Sequence, residues 1–155
     1  MRVNVELHGL DELNKKFGVL TRSLDPDRVE PVIYSAADII TREMRSRAPD
    51  GPTGNLKGAI RTVKLKREGN KPAPSIAAVD RKKAPHAHLV EFGTSTRRVK
   101  VKRVLYDKKT GKFFGTLVGE MPAKPFVRQS LQAKEGEAVA HVIEGIKRLI
   151  EEGAK

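Results

Sequence analysis

The 155-residue chain has no cysteine and no tryptophan, and it carries only two Tyr and five Phe. Without thiols there is no cysteine nucleophile, no disulfide framework and no cysteine-ligated zinc. The absence fits assembly in a reducing cytoplasm. A chain of this length buries a core without such staples. With aromatics at 5% of residues, that core is expected to be aliphatic, with the five Phe as its large pieces. No apolar run approaches the ~20 residues that a membrane helix needs. Met1–Leu10 alternates polar and apolar residues and lacks the apolar centre of a signal peptide, so the protein is expected to be soluble and unprocessed, with no membrane partner.

Catalytic signatures are missing as well. There is no Gly-x-Ser-x-Gly elbow, no complete phosphate-binding Gly-x-x-x-x-Gly-Lys-Ser/Thr loop and no dinucleotide glycine fingerprint. Thr110-Gly111-Lys112 keeps only the Gly-Lys pair of such a loop and falls in a predicted hairpin turn. His86-x-His88 with Glu91 is the best metal candidate. On a strand the two imidazoles would share a face; on a helix, residues two apart diverge. The plainer reading, two partly exposed polar side chains, is preferred. Asp25, Asp27 and Asp50 stand beside Pro and Gly, where Asp caps helices and closes turns. The expectation is no catalytic residue, no metal site and no cofactor.

What the sequence has in excess is positive charge: 31 Lys and Arg against 19 Asp and Glu, a net +12. Such a balance points to a polyanion or an acidic protein surface as partner. The charge concentrates in Arg97, Arg98, Lys100, Lys102, Arg103, Lys108, Lys109 and Lys112, with Asp107 the one acid among them.

Periodicity supplies the elements. Val3, Val5 and Leu7 alternate as in a half-buried strand. Leu10, Leu13, Phe17 and Leu20 mark one helix face, with Asp11 and Glu12 in its first turn, where the helix dipole favours acids. Asp25-Pro26 reads as N-cap and first helical residue. Val29, Val32, Ile33, Ala36, Ala37, Ile40 and Met44 then line about four turns. Two prolines and two glycines in Ala48–Gly54 make a stiff loop. Lys57–Lys66 and Ser75–Asp80 are predicted strands. Ala84–Phe92 suits either a short helix or a strand, with the helix preferred. Val99–Tyr106 and Phe113–Val118 flank a turn at Gly111 as a hairpin. A last helix runs from Phe126 to about Glu151, with a possible interruption at Gly136 and with Val139, Val142, Ile143, Ile146, Leu149 and Ile150 as its apolar side. The predicted fold is α+β: one domain over residues 1–155, a mainly antiparallel sheet packed by two long helices. The basic hairpin 97–118 is expected to project as an arm, because eight cations packed on their own domain would repel one another and be costly to desolvate.

Three motifs occur in order: Ala48-Pro49 followed by Thr53-Gly54-x-Leu56, then Ala87-x-x-Val90-Glu91-Phe92-Gly93-Thr94, then Pro122-Ala123-Lys124-Pro125-Phe126-Val127-Arg128. As an ordered set they resemble the small tail-completion or neck proteins of lambdoid-type long-tailed bacteriophages. The chain departs from that pattern at Gln129-Ser130, at His86 where an aromatic is common, and in the length and charge of its hairpin.

The resemblance implies a non-enzymatic virion protein at the head–tail junction, assembled in the bacterial host cytoplasm. It implies a homo-oligomer, a hexameric ring around the DNA channel, with tail-tube and head-connector proteins as partners. Pro49, Pro52, Thr53, Glu91, Thr94 and Arg128 are the candidate interface residues on this reading, with Glu91 directed at Arg128 or at a neighbouring subunit. Phe92 and Phe126 are read as core anchors. The rival reading is a stand-alone nucleic-acid-binding module that uses the basic hairpin. Only Tyr106, Phe113 and Phe114 lie near that cluster, few for the stacking platforms of single-strand binders, and no helix-turn-helix, zinc-finger or RNP pattern is present. At most weak, non-specific DNA contact is expected.

Overall fold

The structure, a computed structural model, describes residues 10–51, 54–98, 105–106, 111, 113–115 and 117–153. The strand expected at Arg2–Leu7 therefore lies outside the described residues, as do Pro52, Thr53, Lys100, Lys102, Arg103, Lys108, Lys109 and Lys112.

Helix α1 spans Leu10–Ser23 and α2 spans Pro26–Arg47. The turn between them is set by Asp25, whose carboxylate accepts the N–H of Asp27 at 2.9 Å while Pro26 takes the first helical position. Pro lacks the N–H that is unpaired there in any helix. After the Ala48–Gly54 loop comes a single helical turn, α3 (Asn55–Ala59), then β1 (Ile60–Lys64) and β2 (Ser75–Val79). The predicted strand from Lys57 thus starts three residues late. Leu56 and Ala59, three apart, are both buried, a helical spacing, and only from Ile60 does the chain extend. The strands pair antiparallel, Ile60 opposite Val79 through Lys64 opposite Ser75.

Helix α4 covers Ala87–Phe92, so the ambiguous segment is helical. The basic segment forms two short antiparallel ladders. In one, β3 (Arg97–Arg98) pairs with β6 (Leu117–Val118); in the other, β4 (Leu105–Tyr106) pairs with β5 (Phe113–Gly115). Gly111 takes φ +67° at the turn. These strands pack chiefly on one another. The last helix, α5 (Phe126–Gly153), runs through Gly136 without a break.

Two long helices and antiparallel strand pairs make an α+β fold. Its spine is the antiparallel pair α2–α5. Ser35 bonds His141 at 2.8 Å and Arg28 bonds Glu152 at 3.1 Å, so rising numbers in one helix meet falling numbers in the other. The close approach depends on Gly145: a Cβ there would stand 2.4 Å from Cγ1 of Val32. The β1–β2 pair packs on another side of α2. Met44, Ala48, Leu56, Ala59, Ile60, Ala84 and Phe126 form the main core, and Val29, Val32 and Leu149 a second at the far end of α2.

One predicted face is corrected. Leu149 is buried and Val142 and Ile146 are half-buried, but Val139, Ile143 and Ile150 are exposed. The residues of α5 that meet α2 are the small and offset set Ala138, Val142, Gly145 and Leu149. Apolar positions run round more of the helix than one neighbour can cover.

Candidate functional site

The three sequence motifs meet at one end of the α2–α5 pair. Ala48 and Leu56 from the first, with Val90 packed beside them from the second, share a core cluster with Phe126 from the third. Phe126 is 2% exposed, so its reading as an anchor holds.

Backbone and carboxylate bonds fasten the second motif to the third. Thr94 and Met121 exchange N–H···O bonds of 2.9 and 3.0 Å, and the N–H of Lys124 reaches the carbonyl of Val90 at 2.8 Å. Gly93 makes this approach possible. Its φ is +72°, and a Cβ there would lie 2.7 Å from the carbonyl oxygen of Met121 and 2.8 Å from the nitrogen of Ala123. Glu91 is buried, and its carboxylate accepts the N–H of Val127 at 2.9 Å and of Arg128 at 3.1 Å. These donors belong to the first turn of α5, where no intrahelical acceptor exists and negative charge is favoured. Glu91 thus reaches the main chain of Arg128, while the Arg128 side chain stays exposed.

That geometry bears on metal binding. His86 stands at the head of α4 and is exposed, as is His88, while Glu91 is turned to α5. The three do not converge. Among the described residues no group of three or more His, Asp or Glu side chains could hold a metal ion.

Around the knot the surface is concave and mixed. A cleft of about 460 Å³ is lined by Pro49, Asp50, Gly51, Asn55 and Leu56 from the first motif. His86 and Val90 line it from the second segment, and Met121, Pro122 and Lys124 from the third. The loop is held in place by a 2.6 Å ion pair from Lys57 to Asp50 and by the N–H of Gly54 on the carbonyl of Gly51 at 3.1 Å. On the adjoining face Phe92 is 70% exposed, beside Arg81, His88, Arg128 and Leu131. Its reading as a core anchor is therefore overturned. It is the last residue of a six-residue helix whose inward positions are taken by Val90 and Glu91. The motif sequence marked the segment but could not say which way its ring turns. Met121 and Arg81 also border these surfaces without having been singled out in the sequence, and Lys124 without having been read as a contact residue. Aromatic and Arg side chains are enriched at protein contact surfaces.

The strongest electrostatic cluster lies elsewhere and is structural. Glu30 on α2 is 4% exposed. It receives Lys64 of β1, the N–H of Ala73 at 2.9 Å and the Arg67 guanidinium at 2.6 Å. The Lys64 ammonium and the Ala73 N–H, with help from Arg67, hold its carboxyl down to about 2. Asp80, at the end of β2, is also held below the usual carboxylate range, first by the N–H of Lys82 and then by nearby cations including Arg61. Both clamp the strand pair to its surroundings.

No helix among the described residues is long and apolar enough to cross a membrane. No curated protein and no solved structure matches the chain. Residues 11–93 match the model of the family described as "Bacteriophage HK97-gp10, putative tail-component", a stretch that takes in the first motif whole and the second as far as Gly93. With more than half of its length matched, the chain belongs to the HK97-gp10-like family of bacteriophage tail components.

Proposed function

We propose that this tail component completes the tail at the head–tail junction, as a hexameric ring around the DNA channel that joins the tail tube to the head connector. The observation that carries the reading is the knot of three motifs. Its polar groups are spent on backbone bonds that rigidify it, while the Pro49–Gly51 loop, Met121, Lys124 and Phe92 are left at the surface. Such a site is built for docking: a preorganised loop loses little entropy on contact, and exposed aromatic and cationic side chains supply the anchors. Pro49, Pro52, Thr53, Thr94 and Arg128 are the interface residues of this reading. Glu91 serves it by fixing the start of α5. No chemistry is required; the mechanism is surface complementarity and ordered assembly.

The basic hairpin 97–118 is, on this reading, an arm toward a neighbouring subunit or the tail tube. DNA must slide through the junction, so tight phosphate binding would oppose function. DNA affinity is therefore expected to be weak, sequence-independent and steeply reduced by salt through counterion release. Charge reversal at Lys100, Lys102 and Arg103 should leave the fold intact and give particles whose heads and tails are unjoined. DNA binding over a salt series and electron microscopy of the mutant phage make the test. The net charge of +12 favours the second reading, a stand-alone nucleic-acid-binding module. Tight, sequence-selective DNA binding at physiological salt with normal particles from the triple variant would establish that reading instead.

A further inference from the structure

Among the described residues, two helices carry apolar stripes that stay exposed. On α1, Leu10, Leu13, Phe17 and Leu20, with Leu24 just past its end, recur at alternating spacings of three and four, and each is 38–56% exposed. The side of α1 that meets α5 is a different one: Ser23 and Val19 sit against Gly153, about a third of a turn away from the stripe. On α5, Val139, Ile143 and Ile150 follow the same seam with Ile146, and the first three are 57%, 51% and 37% exposed. This seam too is rotated by about a third of a turn from the Ala138–Leu149 face that packs on α2. It borders an apolar groove of about 510 Å³ whose floor is α2, from Ile33 to Met44, and whose walls are Ile76 of β2 and Leu131 to Ile143 of α5.

We infer that the α1 stripe of one copy lies in this groove, along the Val139–Ile150 seam, of the next copy. The inference rests on the ring reading above and names its subunit contact. Both halves have the three-and-four spacing of a helix-pairing seam, and at 1.5 Å per residue they run about 21 Å on α1 and about 16 Å on α5. At about 200 Å² for a large exposed side chain, the five α1 residues offer roughly 400 Å² of apolar surface. Val139, Ile143, Ile150, Leu131 and Ile76 offer about as much. Together that is roughly two-thirds of the total area of a small specific interface, before any polar rim is added.

Gly136 gives an independent sign. It sits inside α5, about one turn before the seam's Val139, and a Cβ there would meet nothing within 4 Å. Glycine inside a helix costs about 1 kcal/mol relative to alanine, and nothing among the described residues requires it here, in contrast to Gly145. A neighbouring helix pressed against α5 at that level would. Because the two surfaces differ, the contact is heterologous, the kind that closes a ring when the rotation between copies is a whole fraction of a turn and runs on as a filament when it is not.

The absence of cysteine makes the test clean. Phe17→Cys and Ile143→Cys are introduced singly and together into the 155-residue chain and treated with a short bis-maleimide, both at high concentration and in assembled particles. The expected result is a dimer-sized product from the mixture and from neither variant alone, and a ladder from the double variant that ends at the ring. Cross-linking of Phe17→Cys with itself overturns the inference, as does closure of the double variant within one chain. Absence of the mixed product from particles with joined heads and tails also overturns it, while leaving the junction role standing. Phe17→Asp provides a second measurement. It is expected to leave the monomer's melting temperature unchanged and to abolish the ladder; a marked loss of thermal stability shows that the stripe belongs to the chain's own core and sinks the inference.

Discussion

Glu91 and Arg128, 37 positions apart, are joined by a carboxylate on a main-chain N–H at 3.1 Å. The acid of one motif closes the open end of the helix that begins in another. Removing it strands two N–H groups, those of Val127 and Arg128, at a part-buried helix terminus. Glu91→Ala is expected to cost about 1–3 kcal/mol, the range for unsatisfied buried donors. Glu91→Gln keeps one acceptor and should cost less. Urea unfolding of the parent protein and the two variants measures this; equal midpoints for the parent and Glu91→Ala would show that the bonds contribute nothing.

Gly93 is a stricter case. Its positive φ and the main-chain atoms of Met121 and Ala123 within 3 Å of a built Cβ leave no soft neighbour to yield. Gly93→Ala is expected to destabilise by at least about 2 kcal/mol, the combined effect of a disallowed conformation and a backbone clash. Gly136→Ala, with open space around it, should raise the stability of the isolated chain by up to about 1 kcal/mol. The opposite ordering of the two variants in a thermal melt would contradict the packing described.

Acid should loosen the α2–β1 clamp. In the folded protein the Glu30 carboxyl is held at about 2, against an ordinary value of 4.5. The unfolded chain therefore takes up this proton first as the pH falls. The stabilisation is fully present above about 4.5 and is lost progressively toward about 2. In Glu30→Gln this component disappears: the variant is expected to be less stable at neutral pH and to show a shallower acid limb across that window. Parallel stability curves for the two proteins, measured by denaturant titration at each pH, would exclude the clamp.

The sequence disclosed whatever depended on local signals. Asp25-Pro26 marked the start of α2, the 3.6-residue period marked α2 and α5, and Gly111 marked the hairpin turn, since caps, turns and periodicity act within a few residues. It misjudged what depended on distant partners. Which side of α5 is buried is decided by how closely Gly145 lets α2 approach, not by where the large apolar residues stand. That Phe92 faces outward is decided by Val90 and Glu91 taking the inward positions of a short helix. The convergence of three motifs on one core around Phe126 was equally out of reach, because it is made by packing between segments nearly 80 positions apart.

Phe92 and Phe126 lie in adjacent motifs, and the structure gives them opposite tasks. Phe126 is enclosed by Ala48, Leu56, Ile60 and Ala84. Phe126→Ala is therefore expected to cost about 3–5 kcal/mol, the range for emptying a core aromatic site. Phe92 is 70% exposed. Phe92→Ser should change stability by no more than about 0.5 kcal/mol, as for surface positions without special contacts. If Phe92 is an anchor for a neighbouring virion protein, the same substitution should still matter in the particle, because truncating a hot-spot aromatic costs about 2 kcal/mol or more of binding, about thirtyfold in affinity. The two readouts separate the roles. Phe126→Ala should fail in a melt of the purified protein, whereas Phe92→Ser should melt normally and yet give heads and tails that do not join in complementation with purified protein. Normal joining by Phe92→Ser would remove this face from the contact surface and leave the Pro49–Gly51 loop and Lys124 to carry it.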